Sequence, residues 1–173
     1  MLVDGIDTKD VLGQVLQSRI TTITQDPVDI YSSLRANIYP FERTGNAPIP
    51  DATMVDALSR VGLWETVQSA GGLDADLDAL QLSHGQKQLF YLARAILHHE
   101  MTGGRLVLVD EATSDIDQET EKRIIQIMEE AFADCTVLTI AHRVETLQNA
   151  DIIVRLDGGK LVETSSMYPQ RSD

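Results

Sequence analysis

Four polar positions stand where short apolar runs stop. Asp110 and Glu111 follow Leu106-Val107-Leu108-Val109, Gln25 follows the β-branched stretch Ile20 to Thr24, and His142 comes two residues after Thr136-Val137-Leu138-Thr139-Ile140. A carboxylate at the end of a strand is a hard oxygen ligand suited to Mg2+, a cation that takes few protein oxygens and keeps several waters. Glu111, one residue on, is placed to orient a water for in-line attack on a phosphoryl group. An imidazole at His142 can stabilise the charge that develops there. Gln25 can position the same water or complete the metal shell. Each residue also has a plainer role. Acidic pairs cap helices, and Glu111-Ala112-Thr113-Ser114-Asp115 contains capping residues for a helix starting near Gln118. A single His after a strand is more often structural, and a Gln before Asp-Pro is more often a turn residue.

A second chemistry-bearing segment is Leu82-Ser83-His84-Gly85-Gln86-Lys87-Gln88. Ser83 and Gln86 have the Ser-x-x-Gln spacing of a capping box opening a helix whose buried face is expected to carry Leu89, Leu92, Ala93, Ile96 and Leu97. The start of such a helix offers backbone N–H groups, the positive end of the helix dipole, a Ser hydroxyl and, at Gly85, close approach for a ligand. Those are the parts of a phosphate clamp, although an ordinary capped helix has most of them as well.

The elements that must position these groups alternate. Leu2 to Ile6 reads as a hairpin or strand tail broken at Asp4-Gly5, followed by a short helix from a Thr8 cap towards Ser18. Ile20 to Thr24 is a buried strand stopped by Asp26-Pro27. From about Ser32 to His99 the pattern is helical, broken by the loop Thr44 to Asp51 and by Gly71-Gly72. Two apolar strands, 106–109 and 136–140, enclose a helix from Gln118 to Phe132, an arrangement that calls for a parallel sheet covered on both faces. Ile152 to Leu156 and Leu161-Val162 form a hairpin about Asp157-Gly158-Gly159-Lys160, with a mobile polar tail expected beyond Glu163. In open parallel sheets ligands bind beyond the carboxyl ends of the strands, so the polar residues found there are expected to share one site.

Composition narrows the partners. The formal charge of -13, from 27 acidic against 14 basic residues in a chain of 173, argues against nucleic acid and against non-specific binding to an anionic membrane. No apolar run approaches the roughly 18 residues of a membrane-spanning helix, and Leu2-Val3-Asp4-Gly5 is not the start of a signal peptide. Cys135, the lone cysteine, has no internal disulfide partner and is expected in the core, as is Trp64. The acidic run Asp74-Ala75-Asp76-Leu77-Asp78 lacks the ligand spacing of a calcium loop and reads as solvated, and His98-His99-Glu100 cannot chelate one ion from adjacent positions of a helix.

In this order and spacing the residues resemble the ATP-binding-cassette family. Leu82-Ser83-His84-Gly85-Gln86 is similar to its LSGGQ signature, and Leu106 to Ser114 is similar to Walker B with the glutamate that follows it. Ser114-Asp115-Ile116-Asp117 resembles the D-loop, Thr139-Ile140-Ala141-His142-Arg143 the switch-histidine loop and Thr24-Gln25-Asp26-Pro27 the Q-loop. Val3 to Asp7, Arg19-Ile20-Thr21 and Leu34 to Phe41 look most like the second nucleotide-binding domain of the C, or multidrug-resistance-associated, subfamily of exporters. The resemblance implies ATP and Mg2+ as cofactors. It makes Glu111 and His142 catalytic, as general base and γ-phosphate contact, has Asp110 aid the metal and has Gln25 couple nucleotide to a transmembrane domain. Ser83, Gly85, Gln86 and Asp117 would reach nucleotide held by a second, head-to-tail nucleotide-binding domain. It also implies a place on the cytoplasmic face of a membrane as part of a transporter.

The implied fold class is α/β: a partial P-loop NTPase (RecA-like) core with a parallel sheet and an inserted α-helical signature subdomain. Residues of about 1–31 and 101–163 would form the core lobe, about 32–100 the helical subdomain and 164–173 the tail. The family's Walker A loop, Gly-x-x-x-x-Gly-Lys-Ser/Thr, is missing. Gly159-Lys160 is the only Gly-Lys pair, with Val154 at the required first glycine and Leu161 after it. Also missing are the first core strand, the helix after the P-loop and the adenine-stacking aromatic, so the sequence is expected to be truncated at its N-terminus and inactive alone. Asp115 replaces the small residue usual in the D-loop, and Glu163-Thr164-Ser165 lacks the glycine that commonly follows the glutamate.

Two other functions fit parts of the pattern. One is a non-catalytic fragment or interaction module lending its signature helix to a partner P-loop domain. The other is the C-terminal lobe of a chromosome-maintenance or DNA-repair ATPase, which shares these motifs but carries long heptad coiled coils where Gln25 to Ser83 reads as compact helices.

Overall fold

A computed structural model describes residues 2–24, 28–29, 33–40, 48–111, 116–141, 147 and 149–166. The chain divides between Thr139 and Ile140 into two compact units. The first begins with two short antiparallel strands, β1 (Leu2–Val3) and β2 (Ile6–Asp7). They are joined by Asp4 and Gly5, both at positive φ, as a tight two-residue hairpin turn requires. The helical stretch expected from a Thr8 cap is instead a 3-10 turn, Thr8–Asp10, capped by Asp7, followed by helix α1 (Gly13–Arg19). Asp7 takes the cap because its carboxylate oxygen accepts the Lys9 amide at 3.1 Å.

Strand β3 (Ile20–Ile23) pairs in parallel with β4 (Leu106–Asp110), Ile20 opposite Leu106 and Ile23 opposite Val109. At the start of the pair Gly104 comes so close to the Arg19 backbone that no side chain fits there. Strand β5 (Thr136–Ile140) completes a three-stranded sheet in the order β3-β4-β5. Of the expected cover on both faces, β4 is buried on the face of Val107 and Val109 and half-buried on the opposite face at Leu106 and Leu108, whereas all five residues of β5 are exposed. An edge strand has a neighbour on one side only, and α6 (Gln118–Ala131), the helix between β4 and β5, keeps its buried positions at Glu121 and Ile124.

Between β3 and β4 the described residues include α2 (Leu34–Ile38), α3 (Asp51–Arg60), α4 (Trp64–Ser69), the 3-10 turns Gly72–Asp74 and Asp78–Leu80, and the long α5 (His84–Thr102). Helix α5 packs against α1, α2, α3, α6 and β3. Its expected face of Leu89, Leu92, Ala93, Ile96 and Leu97 is buried, and so are Gln88, Phe90, Tyr91, Ala95 and His98, so the middle of the helix is enclosed on every side. Leu34, Ile38, Met54, Leu58, Val61 and Val67 close the core around it, with Trp64 partly buried against them. Each large side chain removed from water in this way contributes about 1.5–3 kcal/mol before its entropy cost. Helix α5 stops at Gly103 in the left-handed region, whose amide donates to the His99 carbonyl at 2.8 Å.

The consecutive His98, His99 and Glu100 serve three separate places. His98 Nδ1 lies 3.1 Å from the buried Thr21 hydroxyl, His99 Nδ1 is 2.8 Å from the Gly104 carbonyl oxygen, and Glu100 pairs with Arg60. Cys135 is half-buried with its Sγ 3.8 Å from His99 Nδ1. Asp74, expected to be merely solvated, accepts from Arg35 Nε at 2.8 Å, and Arg35 also forms a two-pronged contact to Asp51, tying α2 to α3.

In the second unit, β6 (Ile152–Asp157) and β7 (Lys160–Ser166) form an antiparallel hairpin, with Gly158 and Gly159 at positive φ in the turn. Strand β7 continues past Val162, where the apolar pattern ends, because backbone pairing persists to Ile152 opposite Ser166. Among the described residues no helix is long and apolar enough to cross a membrane.

Candidate functional site

Because β3 and β4 run parallel and Ile23 pairs with Val109, their carboxyl ends lie side by side. Asp110 is the last residue of β4 and is exposed. Glu111 follows with φ +46°, a left-handed backbone that a residue with a Cβ adopts at a cost of about 1–3 kcal/mol. A bend at Glu111 ends the strand immediately after Asp110. Gln25 and His142 lie outside the described residues, as do Ser114 and Asp115.

The segment from Leu82 to Gln88 folds as its spacing predicts. Gln81 adopts a left-handed conformation, Leu82 is buried, and Ser83 caps α5. The Gln86 amide donates to Ser83 Oγ at 3.2 Å, and the Ser83 amide donates to Gln86 Oε1 at 2.9 Å, so both halves of the capping box are made. This has a chemical consequence. Ser83 Oγ accepts within the cap, which leaves its O–H proton available to an outside acceptor, and the amides of His84 and Gly85 lie before the helix's own hydrogen-bond ladder begins. With the positive end of a 19-residue helix behind them, these donors suit an anionic oxygen.

Asp117 is brought to the same region. It caps α6, accepting from the amides of Glu119 at 3.1 Å and Thr120 at 2.9 Å, while the Thr120 hydroxyl donates to its other oxygen at 2.7 Å. The Thr120 amide and then its hydroxyl hold the Asp117 carboxyl below the usual carboxylate range, so it stays ionised. The side chain of Thr120 lies directly against Gly85: a Cβ on that glycine would stand 3.0 Å from Thr120 Cγ2. Gly85 and Asp117, singled out separately in the sequence, are thus neighbours through one threonine.

A further contact escapes the sequence reading. Tyr91 Oη donates to Asp29 Oδ1 at 2.5 Å, and Arg94 Nη1 donates to the Val28 carbonyl at 3.4 Å, joining the segment after β3 to the middle of α5. The Arg94 guanidinium lies 4.8 Å from the Tyr91 ring centroid and 5.9 Å from that of Phe90. Burial lowers the Arg94 pKa, and burial together with the Asp29 carboxylate raises that of Tyr91. An Arg among the apolar residues of α5 was the available signal; its partners, more than sixty positions away, were not.

No family model matches the chain. Among curated proteins it is 38% identical over 162 residues to the ABC multidrug transporter B of Aspergillus fumigatus, a match covering 94% of this chain and 10% of that protein. It is 38% identical over 163 residues to the ABC transporter atnG of Emericella nidulans and 35% identical over 172 residues to the human ATP-binding cassette sub-family C member 2, again spanning 10% of each. The chain therefore spans about a tenth of the length of these relatives. Among solved structures, a bacterial Atm1-family ABC exporter with ATP bound superposes with a TM-score of 0.80 at 28% identity, covering 95% of this chain and 28% of that one. Sequence identity sustained along nearly the whole chain, with the fold match beside it, makes this chain a member of the ATP-binding-cassette family.

Proposed function

We propose that this chain supplies the signature, Walker B and switch elements of an ATP-hydrolysing domain that powers export by an ABC transporter, working on the cytoplasmic face of a membrane. The observation that carries the reading is the doubly bonded cap at Ser83 and Gln86, with Gly85 and the Asp117 carboxylate beside it, a compact set of polar groups at one helix end. In this reading Ser83, Gly85, Gln86 and Asp117 act on nucleotide held by a second, head-to-tail nucleotide-binding domain. Ser83 donates its hydroxyl proton, and Gly85 presents its backbone without a side chain in the way. Asp110, an exposed carboxylate at a strand end, has the oxygen chemistry that suits Mg2+ and would hold it directly or through water. When bound, Mg2+ supplies charge neutralisation on the phosphates. Glu111 orients and deprotonates the attacking water, His142 contacts the γ-phosphate, and Gln25 relays nucleotide occupancy to a transmembrane domain.

Turnover in this reading requires a P-loop, which the sequence does not contain. The proposed division of labour is a core lobe of about 1–31 and 101–163, a helical subdomain of about 32–100 and a tail of 164–173, whose first three residues are taken up by the end of β7. The test is Mg2+-dependent ATP hydrolysis by this chain alone and by a protein joining it to a P-loop segment of a relative, each beside Glu111→Gln. Hydrolysis by the joined protein alone, reduced at least a hundredfold by Glu111→Gln, is expected from the loss of a general base. Equal hydrolysis by the unjoined chain, or full activity in Glu111→Gln, overturns the proposal. Nucleotide-dependent binding to a P-loop domain without turnover would favour the non-catalytic module instead.

A further inference from the structure

The contact between α5 and α6 at their N-terminal ends is made by a residue to which neither motif assigns a role. Thr120 carries two different groups on one branched carbon. Its hydroxyl donates to Asp117 Oδ2 at 2.7 Å, its amide donates to Oδ1 at 2.9 Å, and its methyl faces Gly85. Within a helix a threonine side chain has two accessible χ1 positions. The bond to Asp117 fixes the hydroxyl, and the methyl then has one place to go, against the signature turn. The space it occupies is the space a side chain at position 85 would need, since a built Cβ lies 3.0 Å from Cγ2 and 3.5 Å from Oγ1. Gly85 therefore lacks a side chain for a reason internal to the chain, in addition to the approach of a ligand.

We propose that Thr120 is a positioning residue that fixes the signature turn and the Asp117 carboxylate to each other, so that the two present themselves to a partner domain as one body. The proposal rests on the reading of Gly85 and Asp117 as groups acting on the partner's nucleotide, and it deepens that reading by naming what aligns them. Serine at position 120 would keep the hydrogen bonds to Asp117 and lose the methyl seat. Valine would keep the shape and lose the hydroxyl bond. No other pair of changes separates the two functions so cleanly, because hydroxyl and methyl are close in size. A displacement of Asp117 is carried to Gly85 through one rigid side chain, without passing through the length of either helix.

The test is nuclear magnetic resonance on this chain, with no nucleotide present, using Thr120→Val, Thr120→Ser and Gly85→Ala alone and combined with Thr120→Ser. In Thr120→Val the titration midpoint of the Asp117 carboxyl is expected to move up towards the ordinary range while the Gly85 and Gln86 amide signals hold their positions. In Thr120→Ser the titration is expected to stay and amide exchange at Gly85 and Gln86 to quicken severalfold. Gly85→Ala should disturb the turn strongly in the parent chain and much less beside Thr120→Ser, where the methyl is gone; this non-additivity is the specific mark of the contact. An Asp117 titration indifferent to valine, a turn indifferent to serine, or strict additivity of the Gly85 and Thr120 changes each overturns the proposal. Thr120→Ser is the gentler change and, with the Gly85→Ala pair, decides the matter if Thr120→Val does not fold. In the P-loop-joined protein both Thr120 variants should lower ATP turnover severalfold. Failure of the parent to turn over would count against the functional reading and leave the resonance results standing.

Discussion

The helices around α5 and the strands after α6 are built from similarly apolar sequence and end in opposite states. Phe90 is 1% exposed and Leu58 fully buried, whereas Leu138 in β5 is 57% exposed and Leu156 in β6 is 68% exposed. A helix that buries an apolar face needs only another helix, and α2, α3, α4 and α5 provide that for one another over a short stretch of chain. A strand in a parallel sheet needs a hydrogen-bonded neighbour on each edge and cover on each face. Among the described residues β4 has a neighbour on each edge, a buried face at Val107 and Val109 and a half-buried one at Leu106 and Leu108, while β5 has one neighbour and no buried residue. Apolar sequence thus reports that a segment is to be covered, and only the packing reports whether this chain does the covering.

The sharpest way to break the comparison is to empty a side chain on each side of it. Phe90→Ala should destabilise the chain by about 3–5 kcal/mol, the cost of lost burial plus a cavity in a close-packed helical core. Chemical denaturation followed by circular dichroism at the helix band would read it. A loss below about 1 kcal/mol would mean that the core collapses around the gap, and that α5 is less tightly enclosed than its burial indicates.

The same contrast explains what could be read in advance. The capping box at Ser83 and Gln86 and the apolar run ending at Asp110 are local devices, written within four or five residues, and the sequence shows each. The α/β class and a parallel sheet followed from the order of apolar runs, while the pairing of β3 with β4 came from the packing. What escaped was set by distance along the chain. Thr120 acquires its place from Gly85, Tyr91 from Asp29 and His98 from Thr21, with 35, 62 and 77 positions between partners. The shift of the first cap from Thr8 to Asp7 was a local ambiguity between two capping residues side by side. The exposure of β5 could not be read from Thr136 to Ile140, because those residues have the same composition whether covered or bare.

His98 offers a subtler probe of the enclosed side. Burial, and secondarily the neighbouring His99, lowers its pKa below the ordinary histidine value near 6.5. The sign follows directly. Above about pH 6.5 the imidazole is neutral in folded and unfolded chains and contributes no pH dependence; below it the unfolded chain takes up a proton that the folded chain refuses. Stability attributable to His98 is therefore present above the unfolded pKa and falls as the pH is lowered towards the depressed folded value. His98→Asn, which keeps a polar group near Thr21, should flatten the slope of stability against pH between about 6.5 and 5 relative to the parent. Identical slopes in both proteins would show that the ring titrates as if exposed.

The smallest effect is expected on the bare side. Leu138→Ser removes a side chain that is more than half exposed, so the unfolding free energy should change by no more than about 0.5 kcal/mol. Its consequence should appear between molecules instead. An edge strand with apolar residues on its surface is a template for further pairing, and replacing one of them with a hydroxyl lowers that tendency. Sedimentation velocity over a range of concentrations should show less self-association in Leu138→Ser than in the parent. A destabilisation approaching that of Phe90→Ala would mean that in solution Leu138 is covered by another copy of the chain, and the two regions would then differ in what covers them, not in whether they are covered.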